Sequence, residues 1–330
     1  MRVCRVTAAL LVPLTAAALA LTACSPGTVG GRSRVPATAA GAQEPPYDVR
    51  PLLQPAKKYF GVARAKAPHS MEPVDDYTRL VGKRPNLIRY YAAWGDGFDA
   101  TGVRNAWNTG ALTIVSWEPQ KTSLTEIADG ETDAYIKEYA TAVRTLNIPV
   151  AISFADEMNG DWEKWGITET TPKEYVRAWR HIHDVFEDVG ATHVIWAWSP
   201  NIIKPDTHDD LSRFYPGENY VDWVGLIGYF TDWDPHTFEG LFGATMAEVR
   251  RFSREPMLVL ETGAMPGELR ATHVRALFEG IAPARDIVGF AWFDYKARED
   301  WRLTVEPEGL AEFRRLAADD LYGFDARKAR

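Results

Sequence analysis

The sequence predicts an α/β protein built as a single (β/α)8 TIM barrel, set behind a signal peptide and a flexible linker. Three observations lead there. Eight short runs rich in Val, Ile, Leu and aromatic residues recur from Tyr59 onward, most of them apolar throughout rather than alternating. Strands of a parallel sheet covered on both faces read that way. Longer stretches with apolar residues every three or four positions lie between them, giving the alternation that a parallel barrel requires. Roughly 270 residues follow the N-terminal segment, the size of one such barrel rather than two small domains. A doubly wound open sheet is the competing arrangement. No glycine-rich phosphate turn follows the first strand, which weakens its dinucleotide-binding form.

The first 23 residues read as an address. Arg2 and Arg5 precede an apolar run, Leu10 to Leu21, that is too short for a good membrane span. The run ends in Leu21-Thr22-Ala23-Cys24, which resembles a bacterial lipobox, with cleavage before Cys24 and lipidation of its thiol. An ordinary secretory signal is the alternative. The chain has two cysteines, and Cys4 would leave with the leader, so Cys24 would have no disulfide partner. Residues 24–55 are rich in Gly, Ala, Pro, Thr and Ser without a period, and read as a tether. The barrel is expected over 56–325, with 326–330 a short tail.

The expected strands are 59–62, 87–91, 112–116, 150–154, 193–198, 223–227, 257–260 and 287–293. Four helices are legible between and after them. Residues 133–146 carry Ile136, Tyr139, Ala140 and Val143 at helical spacing. Residues 172–189 open with Thr171-Pro172, a cap followed by proline at the first helical position, and stop before Gly190. Residues 268–281 and 307–318 behave similarly.

Formal charge is −8, and loss of Arg2 and Arg5 with the leader takes it to about −10. An acidic domain argues against nucleic acid and against an electrostatic grip on membranes. Any membrane contact is expected only through the N-terminal lipid, at the outer face of the cell membrane, or not at all if the protein is secreted. Twelve Trp, thirteen Tyr and fourteen Phe make a heavy aromatic load that suits a carbohydrate groove as well as a core. There is no H-E-x-x-H, and His181 and His183 have the wrong spacing for one helical face. No metal or other cofactor is expected, and a monomer is.

Barrel enzymes carry their chemistry at the C-terminal ends of strands. Glu157 falls just past the fourth run, in Ser153-Phe-Ala-Asp-Glu-Met-Asn-Gly160, with Trp162 and Trp165 close behind. Glu261 falls directly after the seventh run, in Met257-Leu-Val-Leu-Glu-Thr-Gly263. Two carboxyls on one barrel face beside flat apolar rings suit the cleavage of a glycosidic bond.

Specific strings narrow this. Asp156-Glu-Met-Asn-Gly-Asp-Trp-Glu-Lys-Trp-Gly166, Trp196-Ala-Trp-Ser-Pro-Asn201, the segment Tyr215 to Tyr229 and Glu261-Thr-Gly263 together resemble the signature of glycoside hydrolase family 26. The likeness covers Ile148 to Gly263 and is weak before Ala111. It implies a retaining endo-hydrolase of β-linked polysaccharide, most often β-1,4-mannan, with mixed-linkage glucan or β-1,3-xylan as alternatives. By matched position Glu157 is the acid/base and Glu261 the nucleophile. Tyr229 would hydrogen-bond the nucleophile. Asp156, Asn159, Trp162, Trp165, Trp198 and Trp292 are candidates to line subsites.

Each candidate has a plainer reading. Trp196 and Trp198 share one strand face, and either can be core. Asn159 can serve only to shape its loop. The family's histidine is Asp156 here, which exchanges a donor for an acceptor beside the acid/base. A second carboxylate there raises the pKa of Glu157, as a general acid needs, and puts mannan specificity in question. Ile227, often aspartate in the family, departs more mildly. A binding protein on a catalytically retired barrel is the competing class.

Overall fold

The computed structural model describes residues 44–203, 210–233 and 235–329. The expected leader, the cleavage site and Cys24 lie outside them. Residues 45–330 form one compact unit.

Chain order runs α1 (Arg50–Leu53), β1 (Tyr59–Ala63), α2 (Glu72–Val81), β2 (Leu87–Ala93), α3 (Ala100–Asn108), β3 (Leu112–Glu118), α4 (Leu124–Ala128), α5 (Asp133–Leu146) and β4 (Val150–Phe154). It continues with α6 (Pro172–Val189), β5 (Val194–Trp198), β6 (Trp223–Ile227), α7 (Phe238–Val249), β7 (Met257–Thr262), α8 (Arg270–Ile281), β8 (Ile287–Phe293) and α9 (Pro307–Ala317). The eight strands close as a parallel barrel in sequence order, β8 pairing back to β1.

Strand parity separates two cores. Phe60, Val62, Ile88, Val115, Ile152, Trp196, Trp198, Phe290 and Trp292 belong to the large apolar layer packed with residues of the surrounding helices. Tyr59, Leu87, Ile114, Ala151, Ile195, Trp223, Leu258 and Val288 fill the barrel interior. Both layers are apolar, so the strands show no alternation in sequence. Polar residues enter the interior parity toward the strands' C-terminal ends: Arg89 and Tyr91 on β2, Ser116 on β3, Ser153 on β4. That change of chemistry along one face marks the functional end of the barrel.

Helix α6 shows how local signals set an element. The Thr171 side chain accepts from the Glu174 backbone N–H while the Glu174 carboxylate accepts from that of Thr171, a reciprocal cap. Gly190 takes φ +82 and ends the helix, a conformation that costs a side-chain-bearing residue about 1–2 kcal/mol.

The expected tether stops earlier than residue 55. From Pro45 the chain is packed, because Tyr47 N–H and the Pro45 carbonyl both bond Asn147, Leu52 is buried, and Trp223 Nε1 donates to the Leu53 carbonyl at 2.8 Å. The expected tail is likewise tied down at its start, where Ala326 is buried and its N–H bonds the Gly110 carbonyl. The expected helix at 268–281 begins at Arg270.

Candidate active site

The chain leaves β4 in an unusual way. Ala155 and Glu157 both take the left-handed region, φ +47 and +57, where neither residue type is at ease. Backbone bonds hold them there: Ala155 N–H to the Trp117 carbonyl, Glu157 N–H to that of Ser199 at 2.8 Å, and Gly160 N–H back to that of Glu157. Strained backbone of this kind persists where the surroundings over-determine it, most often at functional sites. Here it delivers Glu157 to the mouth of the barrel.

Glu157 is half-buried and bonded to neutral donors. Asn201, just past β5, donates through Nδ2 to Oε1, and Trp162 Nε1 donates to Oε2 at 3.3 Å. Burial, and after it the Asp156 carboxylate, push the Glu157 carboxyl up to about 7. The donors and Arg89 only partly offset this.

Glu261 reaches the same end by a different device. Leu226 pairs Val259 but Ile227 pairs Glu261, so β7 holds an extra residue against β6. Leu258 and Leu260 face the interior, and regular alternation would turn Glu261 outward. The irregularity re-aims it inward, as bulges beside active sites do. There its carboxylate accepts from three side chains: Arg89 Nη1 and the Tyr91 hydroxyl on Oε2, and the Tyr229 hydroxyl on Oε1. A guanidinium and two phenols favour the ionised carboxylate.

Arg89 is buried at 1 % exposure and shared. Its Nη2 meets Asp156 Oδ2 at 2.6 Å, and Nε and Nη2 both donate to Ser116 Oγ at 2.9 and 2.8 Å. Its carbon centre lies 4.7 Å from the Tyr91 ring centroid. Burial pushes the Asp156 carboxyl up, against the pull of Arg89 and the Ser116 hydroxyl. A further carboxylate, Glu118 at the end of β3, is raised to about 7 by burial and then by Asp156. A hollow of ≈ 320 Å³ reaches Tyr91 and is walled by Pro68, His69, Tyr90, Asp99 and Tyr295.

The other sequence candidates divide. Tyr229 contacts Glu261 as the resemblance implied. Trp162 is 49 % exposed at the side of Glu157, the placement of a ring that can stack on a sugar. Asn159 is buried and spent within the protein, exchanging bonds with the Asn201 backbone at 3.0 and 2.9 Å, so it clamps two loops. Three tryptophans are corrections. Trp165 is 3 % exposed, its indole N–H bonded to the Asp156 carbonyl, so it props the loop from below. Trp198 is fully buried on the outward face of β5 against Tyr215 and Phe252. Trp292 is fully buried on the outward face of β8 against Phe313 of α9. Neither can line a subsite, because outward parity points both into the helical layer.

Sequence reasoning passed over Arg89, Tyr91, Ser116, Glu118, Asn201 and Trp301. Trp301 packs with its ring centroid 4.5 Å from that of Tyr229 and is itself nearly buried. The signal available for Arg89 was a lone arginine in an otherwise apolar strand, Leu87-Ile-Arg-Tyr-Tyr91.

Residues 113–257 match the sequence model for glycosyl hydrolase family 26. Endoglucanase H of Acetivibrio thermocellus is 26 % identical over 261 residues, which is 74 % of this chain and 29 % of that protein. A mannan endo-1,4-β-mannosidase of Bacillus subtilis is 34 % identical over 116 residues, 33 % of this chain and 28 % of that protein. The matched stretches thus span under a third of either relative's length. A modular endo-β-1,4-mannanase of Cellulomonas fimi superposes with a TM-score of 0.65 at 18 % identity, covering 84 % of this chain and 75 % of that one. With the family's motifs gathered at one end of the barrel, residues 113–257 are similar to glycosyl hydrolase family 26.

Proposed function

We propose that the protein is a retaining endo-β-glycanase that hydrolyses a β-linked polysaccharide of the β-1,4-mannan type. The observation that carries this is the opposite environment of two carboxyls at one end of the barrel. Glu157 is held up to about 7 and protonated in mildly acidic solution, while Glu261 sits among a guanidinium and two phenols. Carboxyls in such opposite surroundings are assigned as acid and as nucleophile. Glu157 protonates the departing glycosidic oxygen as Glu261 attacks the anomeric carbon. Water then cleaves the glycosyl-enzyme with Glu157 as base. Tyr229 and Arg89 aim Glu261, and Trp162 offers a stacking face.

Mixed-linkage glucan is the second reading, with β-1,3-xylan behind it. Asp156 stands in place of the family's histidine, and the relative matched over 74 % of this chain is called an endoglucanase. Reducing-end release from mannan, mixed-linkage glucan, xylan and β-1,3-glucan separates the substrates. Proton NMR of the first product should show the anomeric configuration kept; inversion would overturn the mechanism. Binding without any product would favour a retired, sugar-binding barrel. Export and anchoring through a lipid on Cys24, with the barrel a monomer, complete the proposal. Incorporation of labelled palmitate that Cys24→Ser abolishes is the expected result.

A further inference from the structure

We propose that Asp156 is a positioning residue serving both reacting carboxyls: it clamps the Arg89 guanidinium beside Glu261 and leaves contact with the sugar to other groups. This rests on the retaining-hydrolase reading. The clamp is built and buried. One face of the guanidinium holds Glu261, and the other holds Asp156 Oδ2 at 2.6 Å, with Ser116 Oγ bridging them by accepting from Arg89 and donating to Asp156 at 3.2 Å. Asp156 itself is 6 % exposed, and its own carbonyl is pinned by the Trp165 indole N–H at 2.6 Å.

The chemistry explains why a second anion is needed. In the first step a Glu261 oxygen bonds the anomeric carbon as the glycosidic C–O bond breaks and the leaving oxygen takes the Glu157 proton. Glu261 then becomes a neutral ester. A buried guanidinium whose partner has just lost its charge is costly. Asp156 keeps Arg89 paired through that intermediate, so the barrier to forming it falls. Asp156 also lies beside Glu157 in sequence and opposes its ionisation. The other groups facing this cluster are Glu118 on β3, Glu163 in the loop after β4, Tyr175 on α6, Tyr91 on β2, Tyr229 after β6 and Tyr295 after β8.

Asp156→Asn tests this in two ways. Carboxyl titration of 13C-glutamate-labelled protein, assigned with Glu157→Gln and Glu261→Gln, requires no turnover. The Glu157 signal should titrate about one pH unit lower, the order expected from losing a nearby like charge. On the hydrolysed polymer, kcat/KM should drop by about tenfold or more with KM nearly unchanged, and the basic limb of the pH profile should move down with the titration. A tenfold rise in KM with both profiles fixed would make Asp156 a sugar ligand and overturn the proposal; so would a titration identical to the parent's. Should Asp156→Asn fail to fold, Arg89→Lys keeps the charge but loses the fork. It should lower kcat without raising KM, and parental kcat would equally overturn the clamp. If the titration moves but the parent cleaves no polymer, the clamp stands and the hydrolase reading falls.

Discussion

The ends of β4 and β7 present the same side chain in two different solvents. At β4, Glu157 is bonded by an amide and an indole, neighboured by another carboxylate, and partly withdrawn from water. At β7, Glu261 receives a buried guanidinium and two phenols. The sequence neighbours differ as much as the partners. Glu157 stands on strained backbone after its strand has ended, whereas Glu261 is part of β7 and is turned by an irregular register. On the proposed mechanism, roles in this site follow from surroundings rather than residue type: neutral donors and a like charge suit an acid, cationic and phenolic donors a nucleophile.

Removing the β7 carboxylate should do the most damage. Glu261→Ala has no route to the covalent intermediate and is expected to be nearly inactive on every substrate. Glu157→Ala should lose about 10²–10⁴ in kcat/KM on polymer. Azide should restore its activity on substrates with good leaving groups, because these need no acid. Azide rescue of the Glu261 variant in the same configuration, and not of the Glu157 variant, would exchange the two roles. Next in size is Tyr229→Phe, which deletes one preorganised donor to Glu261. A loss of roughly 10²-fold in kcat with KM held is expected. A purely structural tyrosine would instead lower thermal stability and leave kcat of the folded fraction intact.

The pH profile sharpens the contrast from the β4 side. With Glu157 at about 7, kcat/KM should fall as pH rises through that value, since only the protonated form donates. The Asn201 amide favours the ionised form, so Asn201→Ala should raise that pKa and move the basic limb to higher pH. A shift downward would mean that Asn201 favours the acid form. Stability carries the same sign. Glu118 and Glu157 have folded-state pKa values near 7, above their ordinary 4.5. Between those values the native state binds more protons than the unfolded, so Tm should fall as pH rises from about 5 to 7.5. Glu118→Gln should flatten part of that slope without moving the basic limb far, and thermal melts across the range would show it.

The barrel was legible because continuous apolar runs and helical spacing survive in a sequence whatever the contacts. All eight strands fall where the runs lie, and α5 and α6 match their expected bounds. Helices α2, α3, α4 and α7 were not legible, since α4 has five residues and α7 is apolar on most sides, leaving little period to read. Of the site, the residues that end strands were readable and those that support them were not. Four strands, β3 to β6, separate Arg89 from Glu261 in sequence, and only barrel closure brings them together. Trp198 and Trp292 misled for the opposite reason. Their motifs lie near strand ends, but side-chain parity, invisible when both faces are apolar, sends them into the helical layer.

The smallest expected effect tests whether Trp162 belongs to the β4 acid or merely lies on the surface. Its indole packs on Gly160 so closely that a methyl group there would sit 2.5 Å from the ring. Gly160→Ala must therefore displace Trp162, and with it the N–H that reaches Glu157 Oε2. Trp162→Leu removes the same ring outright. If the indole stacks on substrate, both variants should raise KM by about three- to tenfold, the worth of one aromatic face. Both should also move the basic limb slightly upward, because a donor to the ionised acid is lost. Agreement between them is the decisive point, since Gly160→Ala alters no group that a sugar could touch. Should Gly160→Ala leave KM at the parental value while Trp162→Leu raises it, the ring has a second resting place that still serves the subsite, and its contact with Glu157 is incidental to binding.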